Sequence, residues 1–186
     1  LLYSSFTFWL GFRVNSGEYK LMGLAPYGNS GSERVKEYTS KIKKELVNIK
    51  EDGSVWLNQK YFNYSTGLKM VNENKWQKLF GFPRREIEGK LEQHHCDLAF
   101  AIQKVSEEIV INMAKEAKRL VNTKNLCLAG GVALNCVANG KLLRLGIFEN
   151  IFIQPAAGDA GGAIGAALAA YYLYFNNEYY SGGYQA

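Results

Sequence analysis

The sequence predicts an α/β fold on three observations. Two consecutive strand, glycine turn and helix units occupy roughly residues 125–174. A long amphipathic helix precedes them, and a short β-hairpin sits among the helices further upstream. Strands that alternate with helices bury one face of a sheet under helices, which is the α/β arrangement.

The elements follow in chain order. Leu2–Val14 is rich in aromatic and β-branched residues, which suits a strand, while its imperfect alternation suits a buried helix equally. Ser16–Met22 reads as a short helix with Ser16 as its N-cap, ended by the breakers Gly23, Pro26 and Gly28. A charged helix is expected from about Ser32 to Leu46. Val47–Leu57 reads as a hairpin, with Asp52-Gly53 supplying the positive φ angles of a tight reversal. Residues 58–90 carry Tyr61, Phe62, Tyr64, Trp76, Phe80 and Phe82 without a clear period, and are expected to lie over the core as an insertion.

From His94 to Val121 the apolar residues Leu98, Ile102, Val105, Ile109, Met113, Ala117 and Leu120 recur at steps of three or four. That period places one stripe of a helix against a core. Asn125–Ala129 then reads as a buried strand feeding Gly130-Gly131 and a helix from about Asn135 to Leu145. Ile151–Gln154 is a second strand, followed by Pro155–Gly162 and a small-residue helix to about Tyr174.

The 186 residues are 47% hydrophobic and 21% charged, a globular profile, with a net charge of +5. The basic residues lie in mixed-sign helical stretches, which argues for solvated faces over a nucleic-acid surface. Cys96, Cys127 and Cys136 lack CxxC spacing, so buried reduced thiols are expected. The apolar opening Leu1–Phe12 is shorter than the ~20 residues that span a bilayer, and a cytoplasmic protein is expected. The start at Leu1 suggests a piece of a longer chain.

Chemistry concentrates at the two glycine turns. Glycines where a strand meets a helix let a bound group approach the backbone, and helix N-terminal amides suit phosphate oxygens. Gly130, Gly131 and Asn135 are therefore nucleotide-binding candidates, against the alternative of an unliganded turn. Asp159, bracketed by glycines in Gly158-Asp-Ala-Gly-Gly-Ala-Ile-Gly165, could reach a metal or could cap the following helix. The smallness of Gly161, Gly165 and Ala169 on one helix face could instead serve close packing. Two such loops at successive strand ends converge on one sheet edge, where open α/β folds bind nucleotides. Glu18 and Lys20 could add contacts to ribose or phosphate, or could form a surface pair. His94-His95 faces two directions and fits capping or packing better than a shared metal.

Three stretches resemble the NodU/CmcH O-carbamoyltransferases. They are Gly17-Glu-Tyr-Lys-Leu-Met-Gly-Leu-Ala-Pro-Tyr-Gly28, Asn125-Leu-Cys-Leu-Ala-Gly-Gly-Val-Ala-Leu-Asn-Cys-Val-Ala-Asn-Gly140 and Gln154-Pro-Ala-Ala-Gly-Asp-Ala-Gly-Gly-Ala-Ile-Gly-Ala-Ala167; Asp97-Leu-Ala and Ala101-Ile-Gln103 are also similar. The resemblance implies an actin-like ATPase (ribonuclease H-like) superfold, here a partial domain with a mixed sheet, flanking helices and a hairpin insertion. It implies residues 1–175 as part of the carbamoyl-transfer domain and 176–186 as a linker toward a YrdC-like domain. It further implies ATP and a divalent metal, iron or magnesium, as cofactors, with carbamoyl phosphate and a hydroxyl-bearing small molecule as substrates. Asp159 would then ligate the metal, and Gly131 and Asn135 would hold the nucleotide, with Glu18 and Lys20 nearer the nucleotide or acceptor. The HxxxH pair of the family is not found in this sequence, so the fragment alone is expected to be inactive. The other functions open to such a fold are a tRNA threonylcarbamoyl-type transferase, a sugar kinase or ATPase, and a non-catalytic binding module.

Overall fold

A computed structural model describes residues 1–178. The chain divides into two compact units, the first formed by Leu1–Asn122 with Val137–Ile147 and the second by Thr123–Cys136 with the chain from Phe148 onward. No helix of the described residues is long and apolar enough to cross a membrane. The stretch 179–186, most of the expected linker, lies outside the described residues.

The first unit is mostly helical. Leu2–Trp9 is helix α1, which settles the strand-or-helix alternative at the N-terminus. Phe6, Trp9 and Leu10 fall at helical spacing and are fully buried. The hydroxyls of Ser5 and Thr7 enter the same core by donating to the carbonyls of Leu1 and Tyr3 at 3.0 and 3.1 Å. Helix α2, Glu18–Leu24, is capped by Gly17 and not by Ser16. No side chain caps its first turn, and the Glu18 carboxylate instead reaches back to accept from the amides of Asn15 and Gly17, ahead of the helix, at 3.0 and 3.2 Å.

Helix α3, Glu33–Lys41, starts where Ser32 Oγ accepts from the amide of Val35, and runs on as a π-helical turn over Ile42–Leu46. The hairpin follows as β1, Val47–Ile49, antiparallel to β2, Val55–Leu57. Of its turn residues only Gly53 takes a positive φ, +78°, as in a type I turn closed by a left-handed glycine. The aromatic stretch after the hairpin is part of the core and does not merely lie over it. Helix α4, Glu73–Phe80, buries Trp76 and Phe80, and the Trp76 ring sits 4.8 Å from Phe6 and 5.6 Å from Trp9. Such pairs add to the area that each large ring removes from water.

Helix α5, Gln93–Val121, forms the spine of this unit. Its predicted stripe is buried at Leu98, Ile102 and Val105 and thins out at Ile109, while Met113 and Leu120 are exposed. The stripe holds only along the part of the helix that α1, α2 and α3 pack against. Helix α6, Cys136–Arg144, begins after a 3-10 turn over Gly131–Leu134, and its Leu142 is fully buried.

The second unit is smaller. Strand β3, Asn125–Leu128, pairs in parallel with β4, Asn150–Ile153, in the register Asn125↔Asn150 to Leu128↔Ile153. Helix α7, Gly161–Ala169, follows and passes into a π-helical turn over Ala170–Tyr174. The expected single mixed sheet is not formed by the described residues, which hold the antiparallel hairpin and the parallel pair as two separate sheets. None of the three cysteines is buried as expected: Cys96 is half-buried, and Cys127 and Cys136 are exposed because the strand face and helix start that bear them are uncovered.

Candidate nucleotide and metal site

The parallel pairing of β3 and β4 brings their C-terminal loops side by side. The amide of Gln154 donates to Leu128 O at 3.2 Å, and the amide of Gly130 donates to Ala157 O at 2.7 Å. The turn that carries Gly130-Gly131 and the turn that leads to Asp159 are thereby stitched to each other. Gly130 adopts φ +90° and ψ 158°, a region open essentially to glycine alone. A Cβ at Gly131 or Gly158 would meet no atom within 4 Å, so internal packing does not require glycine there. The amides of Gly131 and Val132 have no acceptor among the described residues. They can serve an external oxygen. Asn135 closes this turn half-buried, its own amide donating to Val132 O at 3.0 Å.

Asp159 is exposed on the neighbouring loop. The N-cap of α7 is Ala160, no side chain caps that helix, and Asp159 joins the turn only through its carbonyl, which accepts from Gly162 at 3.1 Å. The capping alternative therefore has no bond behind it. The close-packing alternative for the small residues holds at Gly161, where a Cβ would strike the carbonyl of Ala156, and does not extend to Gly165, which faces open space. As a metal position the loop offers one carboxylate. No group of three or more His, Cys, Asp or Glu among the described residues is placed to hold a metal ion.

Glu18 and Lys20 belong to the first unit and have local partners. Glu18 holds the backbone at the start of α2, and Lys20 pairs with Glu88 at 2.6 Å. The hydrogen bond from Lys20 to Glu88 raises the lysine pKa and lowers that of the glutamate. The histidines perform a local role as well. His95 Nδ1 accepts from the amide of Glu92 at 3.0 Å while the Glu92 side chain accepts from the amide of His95, a reciprocal cap on α5. His94 lies against it, with ring centroids 4.0 Å apart.

Helix α5 also buries Asp97, Gln103 and Glu107, whose burial is not evident from their place in a charged stretch of sequence. Asp97 is 1% exposed and accepts from the amide of Asn29 at 2.9 Å, from Arg34 at 3.1 Å and from Gln93 at 2.9 Å. It ties the turn after α2 to the spine, and Gly28 in that turn packs so closely on Cys96 and Phe100 that a Cβ would collide with both. Further along, Tyr3 donates to Gln103, Gln103 donates to Glu107, and Lys141 pairs with Glu107. A spacing of four along one helix (93–97 and 103–107) is the signal that could have shown these pairs.

Residues 1–168 match the family described as carbamoyltransferase N-terminus. The chain is 56% identical to uncharacterized protein sll1178 of Synechocystis sp., over 96% of this chain and 28% of that protein. It is 36% identical to nodulation protein NolNO of Sinorhizobium fredii, over 90% of this chain and 22% of that protein. It is 33% identical to 3'-hydroxymethylcephem-O-carbamoyltransferase of Streptomyces clavuligerus, over 43% of this chain and 15% of that protein. The chain thus spans under a third of the length of these curated relatives. A match that runs from Leu1 through both glycine loops to residue 168 means that this chain belongs to the carbamoyltransferase N-terminal family.

Proposed function

We propose that this chain supplies the nucleotide-holding part of an ATP-dependent O-carbamoyltransferase of the actin-like fold. The observation that carries the reading is the pair of stitched loops at the ends of β3 and β4, one with the open amides of Gly131 and Val132 and one with the exposed carboxylate of Asp159, which makes no bond among the described residues. The family description and the name of one relative, the cephem O-carbamoyltransferase, support the same class.

In this reading the amides of Gly131 and Val132 donate to ATP phosphate oxygens, and Gly131 leaves room for the phosphate to approach. Asn135 offers a donor and an acceptor to the ribose or phosphate. Glu18 and Lys20 remain proposals for the nucleotide or acceptor side, and their local partners make them the weaker pair. Asp159 fits as one ligand of a divalent metal, iron or magnesium, and the other ligands would come from elsewhere in the intact enzyme. Such a metal would polarise a carbonyl or lower the pKa of an attacking hydroxyl.

The overall reaction balances in three exchanges. Water splits carbamoyl phosphate to phosphate and carbamate in a YrdC-like domain of the same protein. Carbamate then attacks ATP and expels pyrophosphate, and a hydroxyl of a small molecule takes the carbamoyl group and releases AMP. The test is to incubate the intact enzyme with ATP, a hydroxyl acceptor and carbamoyl phosphate, and to identify the nucleotide product. AMP and a carbamate ester, both dependent on carbamoyl phosphate, are expected. ADP with a phosphorylated acceptor, formed without carbamoyl phosphate, would make the protein a kinase of the same fold.

A further inference from the structure

Between α3 and α5 the first unit carries a groove of about 590 Å³ whose walls divide by chemistry. Val35 and Phe100 lie at its floor, Lys36, Lys43, Lys44 and Lys104 stand at its rim, and no acidic side chain lines it. Helix periodicity builds the arrangement, since Phe100 and Lys104 are one turn apart on α5, and Lys36 and Lys44 lie two turns apart along α3 and its π-helical extension. Lys36 and Lys43 have carboxylate partners, Glu33 and Glu108, each at 2.6 Å. Among the described residues no carboxylate pairs with Lys44 or Lys104, and the Lys104 ammonium lies 5.6 Å over the Phe100 ring. A second depression of about 430 Å³ shares Lys43 and Lys44 with the first and holds Trp56, which is 75% exposed.

We propose that this groove docks an acidic, amphipathic peptide segment of a partner protein, with an apolar side chain on Phe100 and carboxylates on Lys44 and Lys104. Charge complementarity selects the partner's sign, because four lysines with two carboxylate partners leave a local excess of positive charge over an apolar floor. A single-stranded nucleic acid fits less well. It asks for successive exposed rings on which bases stack, and here one exposed ring, Trp56, stands beside a recessed one. A small phosphorylated ligand would need donors that converge on one point, whereas these lysines are strung along an edge.

The test uses the full-length protein and a labelled synthetic helical peptide with leucine on one face and glutamate on the other. Anisotropy should report saturable binding at low ionic strength that weakens as salt rises. Lys44→Glu and Lys104→Glu should each weaken it by about tenfold or more. Lys50→Glu, an exposed site outside the groove, should leave it within about twofold, the range of a screened rim charge. The charge reversals lie on exposed side chains, and thermal melts confirm that each variant folds. No saturable binding, equal loss with Lys50→Glu, or tighter binding of an oligothymidylate than of the peptide would overturn the proposal.

Discussion

The two units treat their apolar side chains in opposite ways, although both are rich in them. In the first, Phe6, Trp9, Leu10, Leu21, Trp76, Leu98 and Ile102 are fully buried in one cluster. In the second, Phe152 is 59% exposed, Ile164 48%, Leu168 49% and Leu173 81%, and α7 buries no residue. A helix that is apolar all round has the composition of a buried one. The first unit is therefore held by its own core, and the second is held chiefly by the β3–β4 ladder and the loops that continue it. The unit that carries the candidate chemistry is the one that its own residues stabilise least. The core and the proposed phosphate and metal contacts at Gly131 and Asp159 fall in different units, so substitutions should separate stability from the proposed chemistry.

The largest expected effect is functional and falls in the second unit. Asp159→Asn in the intact enzyme should reduce carbamoyl transfer by several orders of magnitude, because a metal charge is worth several kcal/mol at the transition state. The melting temperature should hardly move, since the carboxylate is exposed and makes no side-chain bond among the described residues. Metal content, transfer rate and melting measured side by side would decide it, and near-normal transfer with metal retained would break the comparison.

The converse belongs to the first unit. Trp76→Ala removes a fully buried ring that touches Phe6, Trp9, Phe62 and Phe80, and should cost about 3–5 kcal/mol in denaturant unfolding. Amide exchange sharpens the same contrast, as the backbone of α5 from Leu98 to Val105 should be protected far longer than β3 and β4. Equal protection would mean that the two units unfold together. A smaller functional effect is expected for Asn135→Ala, which should weaken ATP by about 1–3 kcal/mol through one or two lost polar contacts. Unchanged affinity in calorimetry would return Gly130-Gly131 to an unliganded turn.

What could be read in the sequence follows the same division. The strand, glycine turn and helix units around Gly130 and Asp159 are local patterns, and β3 and β4 are neighbours as expected, but β3 alternates exposed and half-buried residues and is not the buried strand that its apolar run suggests. The N-terminal segment remained open between strand and helix because its aromatics satisfy both periods over so few residues. In the sequence Trp76 and Phe80 suggest a covering layer, whereas their burial depends on contacts with Phe6 and Tyr38 far away in sequence. Asp97 and Glu107 escaped for a related reason. On an amphipathic helix an acid reads as solvent-facing; the local spacing can suggest Gln93–Asp97 and Gln103–Glu107, while the distant partners Asn29, Arg34 and Lys141 come only from the fold.

The last expected effect is a pH dependence that originates in the first unit. His95 is 6% exposed and its pKa is pushed down to about 4, first by burial and then by its neighbours His94 and Arg85, against a weaker pull from Glu92. Its Nδ1 accepts the amide of Glu92, so the folded ring is neutral with its proton on Nε2. The unfolded chain takes up a proton near the ordinary histidine pKa of about 6.5. The folded state therefore binds fewer protons between these values, and linkage requires stability to fall as pH drops through that window. The contribution is fully present above about 6.5 and is lost by about 4. Glutamine accepts the same amide at this position without titrating. His95→Gln should keep a cap worth about 0.5–2 kcal/mol and flatten the part of the pH profile that the histidine causes. Urea midpoints measured from neutral pH down to the carboxylate range, for wild type and variant together, would show it. Parallel profiles would mean that His95 exchanges its proton with solvent in the folded state as freely as in the unfolded chain.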